Sequence, residues 1–172
     1  MKKLWILLGC TVLTVAGTLA WASVTVDWDH AANFSSYKTY AWGKGTPARD
    51  QLLDQRIVES VDQQLAAKGL QKVDASSNPD LTVLYHAAIT EDTQLNTMGT
   101  GWGWGWGGGM STTTVEKIPK GTLSVDIGDA KTKKLLWLGK ASQELGDNPQ
   151  KNAKKIDETI DKMFKKFPPP MK

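Results

Sequence analysis

Few side chains of this 172-residue chain could carry chemistry. His30 and His86 are its only histidines, and neither stands in an H-x-x-x-H or E-x-x-H spacing that would converge a second metal ligand. His30 falls in a turn and reads as solvated. His86 falls at the end of a strand and reads as a structural residue with its hydrogen bonds satisfied. Asp27 and Asp29 lie two apart on a strand and share a face, while Asp126 and Asp129 flank a hairpin turn. Paired carboxylates do acid–base work only where a cleft drives their pKa values apart; polar strand positions and turn-forming aspartates account for all four. Tyr85, His86 and Asp126 are the trio from which a small hydrolase or transferase centre would be built. Cys10 is the sole cysteine; if it leaves with the N-terminal segment, no disulfide, thiol nucleophile or thiolate metal site remains. Gly103 to Gly108 match G-x-G-x-x-G, but a nucleotide fingerprint opens a helix, and Met110 to Val115 have strand character instead. The chain has no G-x-S-x-G or Walker A spacing.

The stretch "MGTGWGWGWGGGM", residues 98–110, sets three tryptophans on alternate positions among glycines. In an extended chain Trp102, Trp104 and Trp106 form a row about 6.6 Å apart. Each indole offers on the order of 150–250 Å² of surface, so three exposed ones make a patch near or above what soluble monomers usually tolerate. Two readings stay open. The segment is a hairpin tip or linker whose indoles fold back over the sheet, or it is a contact surface. Tryptophan suits the membrane–water interface, its flat ring stacks on sugars, and an aromatic patch suits a protein partner. A soft-metal site using Met98 and Met110 ranks last, since nothing fixes the ligands.

Hydrophobic periodicity marks out the elements that must position these residues. Val24, Val26 and Trp28 alternate with polar residues, as does the run from Tyr37 to Trp42, both in the period of a strand. Leu53, Ile57, Val61 and Leu65 form the stripe of a helix from about Asp50 to Lys68, with Asp50 as N-cap and Gly69 past its end. After the turn Asn78-Pro79-Asp80, Leu81 to Ile89 reads as a strand, and Thr112 to Val115 begins the returning one. Leu123, Val125 and Ile127 alternate, Asp129 to Lys134 makes a hairpin loop, and Leu135 to Ser142 follows. Asn148-Pro149 opens the last helix, with the stripe Ile156, Ile160, Met163, Phe164 and Phe167. This order predicts an α+β fold, an antiparallel sheet with two helices packed on one face. Leu123, Val125 and Ile127 should then face Ile57, Val61, Ile160 and Phe164.

Lys2-Lys3, the apolar run Leu4 to Leu19 and Ala20-Trp21-Ala22 have the form of a signal peptide cut after Ala22. That predicts a signal peptide over 1–22 and one domain over 23–172, exported to the periplasm. Leu7-Leu8-Gly9-Cys10 is a lipobox-like alternative, weakened by the short spacer after Lys3 and the apolar residues after Cys10; an uncleaved anchor is a third. Setting Lys2 and Lys3 aside leaves 19 of the 21 basic residues against 18 acidic ones, no charge for drawing in nucleic acid. The lysines of the last helix alternate with Asp157, Glu158 and Asp161, a solvated face before a lipid-binding one.

Four stretches together, "VDWDHAANFSSYKTYAW" at 26–42, "NPDLTVLYH" at 78–86, "GTLSVDIGDAKTKKLLWLGKAS" at 121–142 and "KKIDETIDKMFKKFPP" at 154–169, resemble the bacterial family called domain of unknown function 4136. The resemblance implies a small exported α+β domain, often an envelope lipoprotein with a Gly- and aromatic-rich insert. It implies no activity. The expectation is a non-catalytic envelope protein, periplasmic or on the inner leaflet of the outer membrane, without cofactor. Its Trp102, Trp104 and Trp106 would meet a membrane surface, a glycan or an envelope protein. The alternative is the small hydrolase or transferase centred near Tyr85, His86 and Asp126.

Overall fold

Asp50 accepts the N–H of Leu53 at 2.9 Å and so caps a helix that runs Gln51–Ala67. Gly69, at φ +83°, takes the left-handed turn just past it. Asn148 does the same for Pro149–Phe164 by accepting the N–H of Lys151 at 3.0 Å. These helices, α1 and α2, belong to a computed structural model that describes residues 23–99 and 111–169. The signal-peptide assignment and Trp102, Trp104 and Trp106 fall outside the described residues. The strands are β1 (Ser23–Trp28), β2 (Thr39–Trp42), β3 (Gln71–Lys72), β4 (Leu81–Gly99), β5 (Ser111–Asp129) and β6 (Leu135–Glu144).

The strands form one sheet in the order β1-β6-β5-β4-β2-β3. Its β1, β6, β5 and β4 neighbours are antiparallel. β2, however, runs parallel to both β4 and β3, so the sheet is mixed and the expected antiparallel sheet is corrected. The cause is α1. A helix between two neighbouring strands carries the chain back to the end it left, and the next strand then runs the same way. Two further differences concern length: β4 and β5 each extend over 19 residues, and the two-residue β3 has no sequence signature.

Both helices pack on one face, as the stripes predict. Val125, Ile127, Ile57, Val61, Ile160 and Phe164 are all buried in one cluster, with Leu123 partly buried against it. Across the helix pair, Asp157 accepts from Arg56 Nη1 at 3.0 Å and from Ser60 Oγ at 2.6 Å. Large rings fill one end of the core: Trp137 lies 5.2 Å from Phe164 and 5.4 Å from Phe167, and Phe167 meets Phe34 at 5.8 Å. Gly139 makes this possible. A Cβ there would overlap Met163 and the Trp137 indole, which is the close approach that places glycine inside a strand. The opposite end is floored by the small residues Ala87, Ala141 and Gly121, with Leu123 between the two alanines in the row Ala87–Leu123–Ala141.

Candidate functional site

β6 pairs with β5 only as far out as Lys120, and the N–H of Leu145 closes on the Pro119 carbonyl at 2.8 Å. Proline has no N–H to give a ladder and sits where a strand becomes an edge. From Glu91↔Pro119 to Gly99↔Ser111, nine successive pairs continue as a two-stranded ribbon in unbroken register. At about 3.4 Å per residue this arm is roughly 30 Å long. Residues 100–110, with the three tryptophans, connect its far ends and lie outside the described residues, as does the Met98/Met110 metal reading.

At the root of the arm, between the N-terminal halves of α1 and α2, lies an apolar pocket of about 370 Å³. Ala87, Gly121 and Ala141 form its floor, Leu53 and Ile57 of α1 and Ile156 of α2 its walls, and Arg49 and Lys155 stand on its lining. The pocket exists because small residues occupy the sheet beneath this part of the helix pair. Several of its polar neighbours are engaged elsewhere: Thr159 Oγ1 donates to Gln143 Oε1 at 3.0 Å, Thr46 Oγ1 meets His86 Nδ1 at 2.8 Å, and Asp50 caps α1. Ser142, also on the lining, buries its hydroxyl without a hydrogen-bond partner. Sequence reasoning missed this pocket.

Tyr85, His86 and Asp126 do not share a cleft. Successive strand residues point to opposite faces: the Tyr85 hydroxyl donates to Asp54 of α1 on the helix side, and Trp42 packs edge-on against its ring at 5.9 Å. His86 lies on the other face, in a cross-strand row with Ser124, Lys140 and Thr25. Asp126 belongs to the adjoining row, beside Leu84 and Leu138, and makes no hydrogen bond to His86. The alternative active centre is therefore corrected. Asp27 and Asp29 are no catalytic pair either, since Asp29 lies beyond β1 and binds Lys134 Nζ at 2.6 Å. His30 is exposed in a turn beside Trp28, with ring centroids 4.9 Å apart. Among the described residues no group of three His, Cys, Asp or Glu side chains lies together to hold a metal ion, and no helix is long and apolar enough to cross a membrane.

The shifted ionisable groups serve the fold. Main-chain N–H groups of Lys38 and Thr39 hold the Asp80 carboxyl below its ordinary range, and that of Thr132 does so for Asp129. Burial, then the hydrogen bond to Asp62 at 2.7 Å, pushes the Tyr40 hydroxyl far up. Asp62 also accepts from Trp42 Nε1 at 2.9 Å and from Lys72 Nζ at 2.8 Å, tying α1 to β2 and β3.

Three solved structures share this fold at low identity. A PDZ domain protein from Parabacteroides distasonis aligns with a TM-score of 0.58 and 15% identity over 87% of this chain, which spans 37% of that protein's length. A DUF4136 family protein from Bacteroides thetaiotaomicron aligns at 0.55 and 16%, covering 86% of this chain and 96% of its own. The PelC dodecamer subunit from Paraburkholderia phytofirmans aligns at 0.50 and 10%, covering 83% and 94%. No curated protein matches the sequence. The family model of DUF4136, domain of unknown function, matches residues 24–169, from the first core strand to the end of the described chain, and the protein belongs to the DUF4136 family.

Proposed function

We propose that this is a non-catalytic protein of the bacterial cell envelope, whose tryptophan-bearing arm makes its contacts. In this reading residues 1–22 are a signal peptide cut after Ala22, and residues 23–172 form one periplasmic domain, free or on the inner leaflet of the outer membrane. Trp102, Trp104 and Trp106 meet a membrane surface, a glycan or an envelope protein. The observation that supports this most is the nine-pair arm, which carries both ends of the Gly/Trp segment well away from the core. Building such an arm from polar residues makes little sense for a segment needed in the core.

The test replaces Trp102, Trp104 and Trp106 together by alanine. Stability should stay within about 1 kcal/mol, as for surface positions, while retention on purified envelope fractions is lost. An unfolded variant would make the indoles core residues. A folded variant that still binds envelope would reduce the segment to a linker. Intact-mass measurement of the exported protein should give a chain beginning at Ser23; a lipid-modified Cys10 would move the protein onto an acyl anchor.

A further inference from the structure

The pocket at the root of the arm has a chemistry of its own. Its volume, about 370 Å³, falls within the small-ligand range of roughly 300–1,000 Å³. Ala87, Gly121 and Ala141 below and Leu53, Ile57 and Ile156 at the sides make an interior of carbon. A polar ligand entering it would give up hydrogen bonds to water for little replacement, because Thr159 and Gln143 already satisfy each other and the Ser142 hydroxyl is the one buried, unpartnered side-chain group on the lining among the described residues. An alkyl chain loses nothing by entering. The charge on the lining is asymmetric: Arg49 is exposed and has no ion-pair partner among the described residues, and Lys155 Nζ is held only by the Glu144 carbonyl at 3.2 Å. The one carboxylate there, Asp50, is committed to the first turn of α1.

We propose that this pocket takes the alkyl chain of an anionic single-chain amphiphile, with Arg49 and Lys155 meeting its charged end. The site is separate from the tryptophan contact and adds a ligand to the envelope reading without depending on it.

Titration calorimetry with the protein produced from its full chain, using sodium dodecanoate below its micelle concentration, tests this. Saturable one-to-one binding is expected, tightening roughly two- to fourfold for each methylene between octanoate and dodecanoate, as alkyl burial requires. Dodecyltrimethylammonium, with the same tail and opposite charge, should bind about tenfold or more weaker. Ala87→Leu fills the floor and should abolish binding. Should that variant not fold, the double variant Arg49→Glu/Lys155→Glu, on the pocket rim, should weaken dodecanoate about tenfold. The triple tryptophan-to-alanine variant should bind dodecanoate as the parent does, even where its envelope retention is lost. No saturable binding by the full-chain protein, including because its own N-terminal residues or another apolar group already occupy the pocket, overturns the proposal. Equal affinity for the cationic amphiphile, or unchanged binding by the rim variant, overturns it as well.

Discussion

Asp80 and Thr39 hold each other in both directions: the Thr39 N–H and hydroxyl donate to Asp80 Oδ2 at 3.0 and 3.1 Å, and the Asp80 N–H donates back to the Thr39 hydroxyl oxygen at 3.0 Å. The N–H of Lys38 adds a third bond to Oδ2 at 2.9 Å. This clamp lies one residue before the parallel pair Tyr40↔Leu81 and sets the register in which β2 joins β4. Replacing Asp80 by alanine removes the acceptor from two main-chain donors. The loss should be about 1–3 kcal/mol in urea unfolding, with asparagine, which keeps an acceptor oxygen, losing less. A loss under about 0.5 kcal/mol would mean that α1 alone holds the parallel register.

Acid should weaken the fold through the same kind of contact. Asp80 and Asp129 are lowered by main-chain N–H groups, Asp29 first by its hydrogen bond with Lys134, and Asp74 by Ser76, all from an ordinary value of 3.8. A carboxyl whose folded pKa lies below its unfolded one holds protons less readily when folded. Its stabilisation is therefore complete above the unfolded value and is lost as pH falls through the folded value. The melting temperature should be level from about pH 8 to 5 and fall below about pH 4. Asp80→Asn and Asp129→Asn should each flatten that acid limb; a melting temperature that rises below pH 4 would contradict the assignment.

The docking of α2 is tested in the core. Ile160 is fully buried, and Ile160→Ala should cost about 2–5 kcal/mol through lost transfer energy and the cavity left behind. At Gly139 the opposite change matters. Gly139→Ala pushes a methyl into Met163 and Trp137, and overpacking of this kind costs about 1–3 kcal/mol. Loss of the near-ultraviolet circular dichroism of Trp137 should accompany it. If both variants melt with the parent, α2 does not lie where Phe164 and Trp137 meet.

Local signals explain what could be read without coordinates. Asp50, the four-residue stripe through Leu65 and Gly69 state a helix and both its ends, and Leu123, Val125 and Ile127 state which strand face is buried. Strand direction is different: nothing inside Thr39–Trp42 says that it runs parallel to Leu81–Val83, since the α1 connection decides it. Glu91 to Gly99 lacks alternation in the sequence, so its strand is legible only through its pairing with Ser111 to Pro119. Ala87, Gly121 and Ala141 sit on three strands, and their smallness becomes a pocket only when the register brings them together under the helices. The separation of Tyr85 from His86 was legible, because neighbours on a strand diverge to opposite faces.

Because the arm projects past the last β5–β6 pair, Lys120↔Glu144, the domain should fold without it. Thr90 and Lys120 are direct partners across β4 and β5. Residues 91–119 can therefore be replaced by Asn-Gly, the pair suited to a two-residue hairpin turn. The deleted span lies beyond the last β5–β6 pair, so the melting temperature should change by only a few degrees, about what 1 kcal/mol produces in a domain of this size. Envelope retention should vanish, as is expected for the triple tryptophan variant. A shortened protein that folds and still binds envelope would place the contact elsewhere on the domain. One that fails to fold would make the arm part of the structure and remove the main support for reading it as the protein's reach.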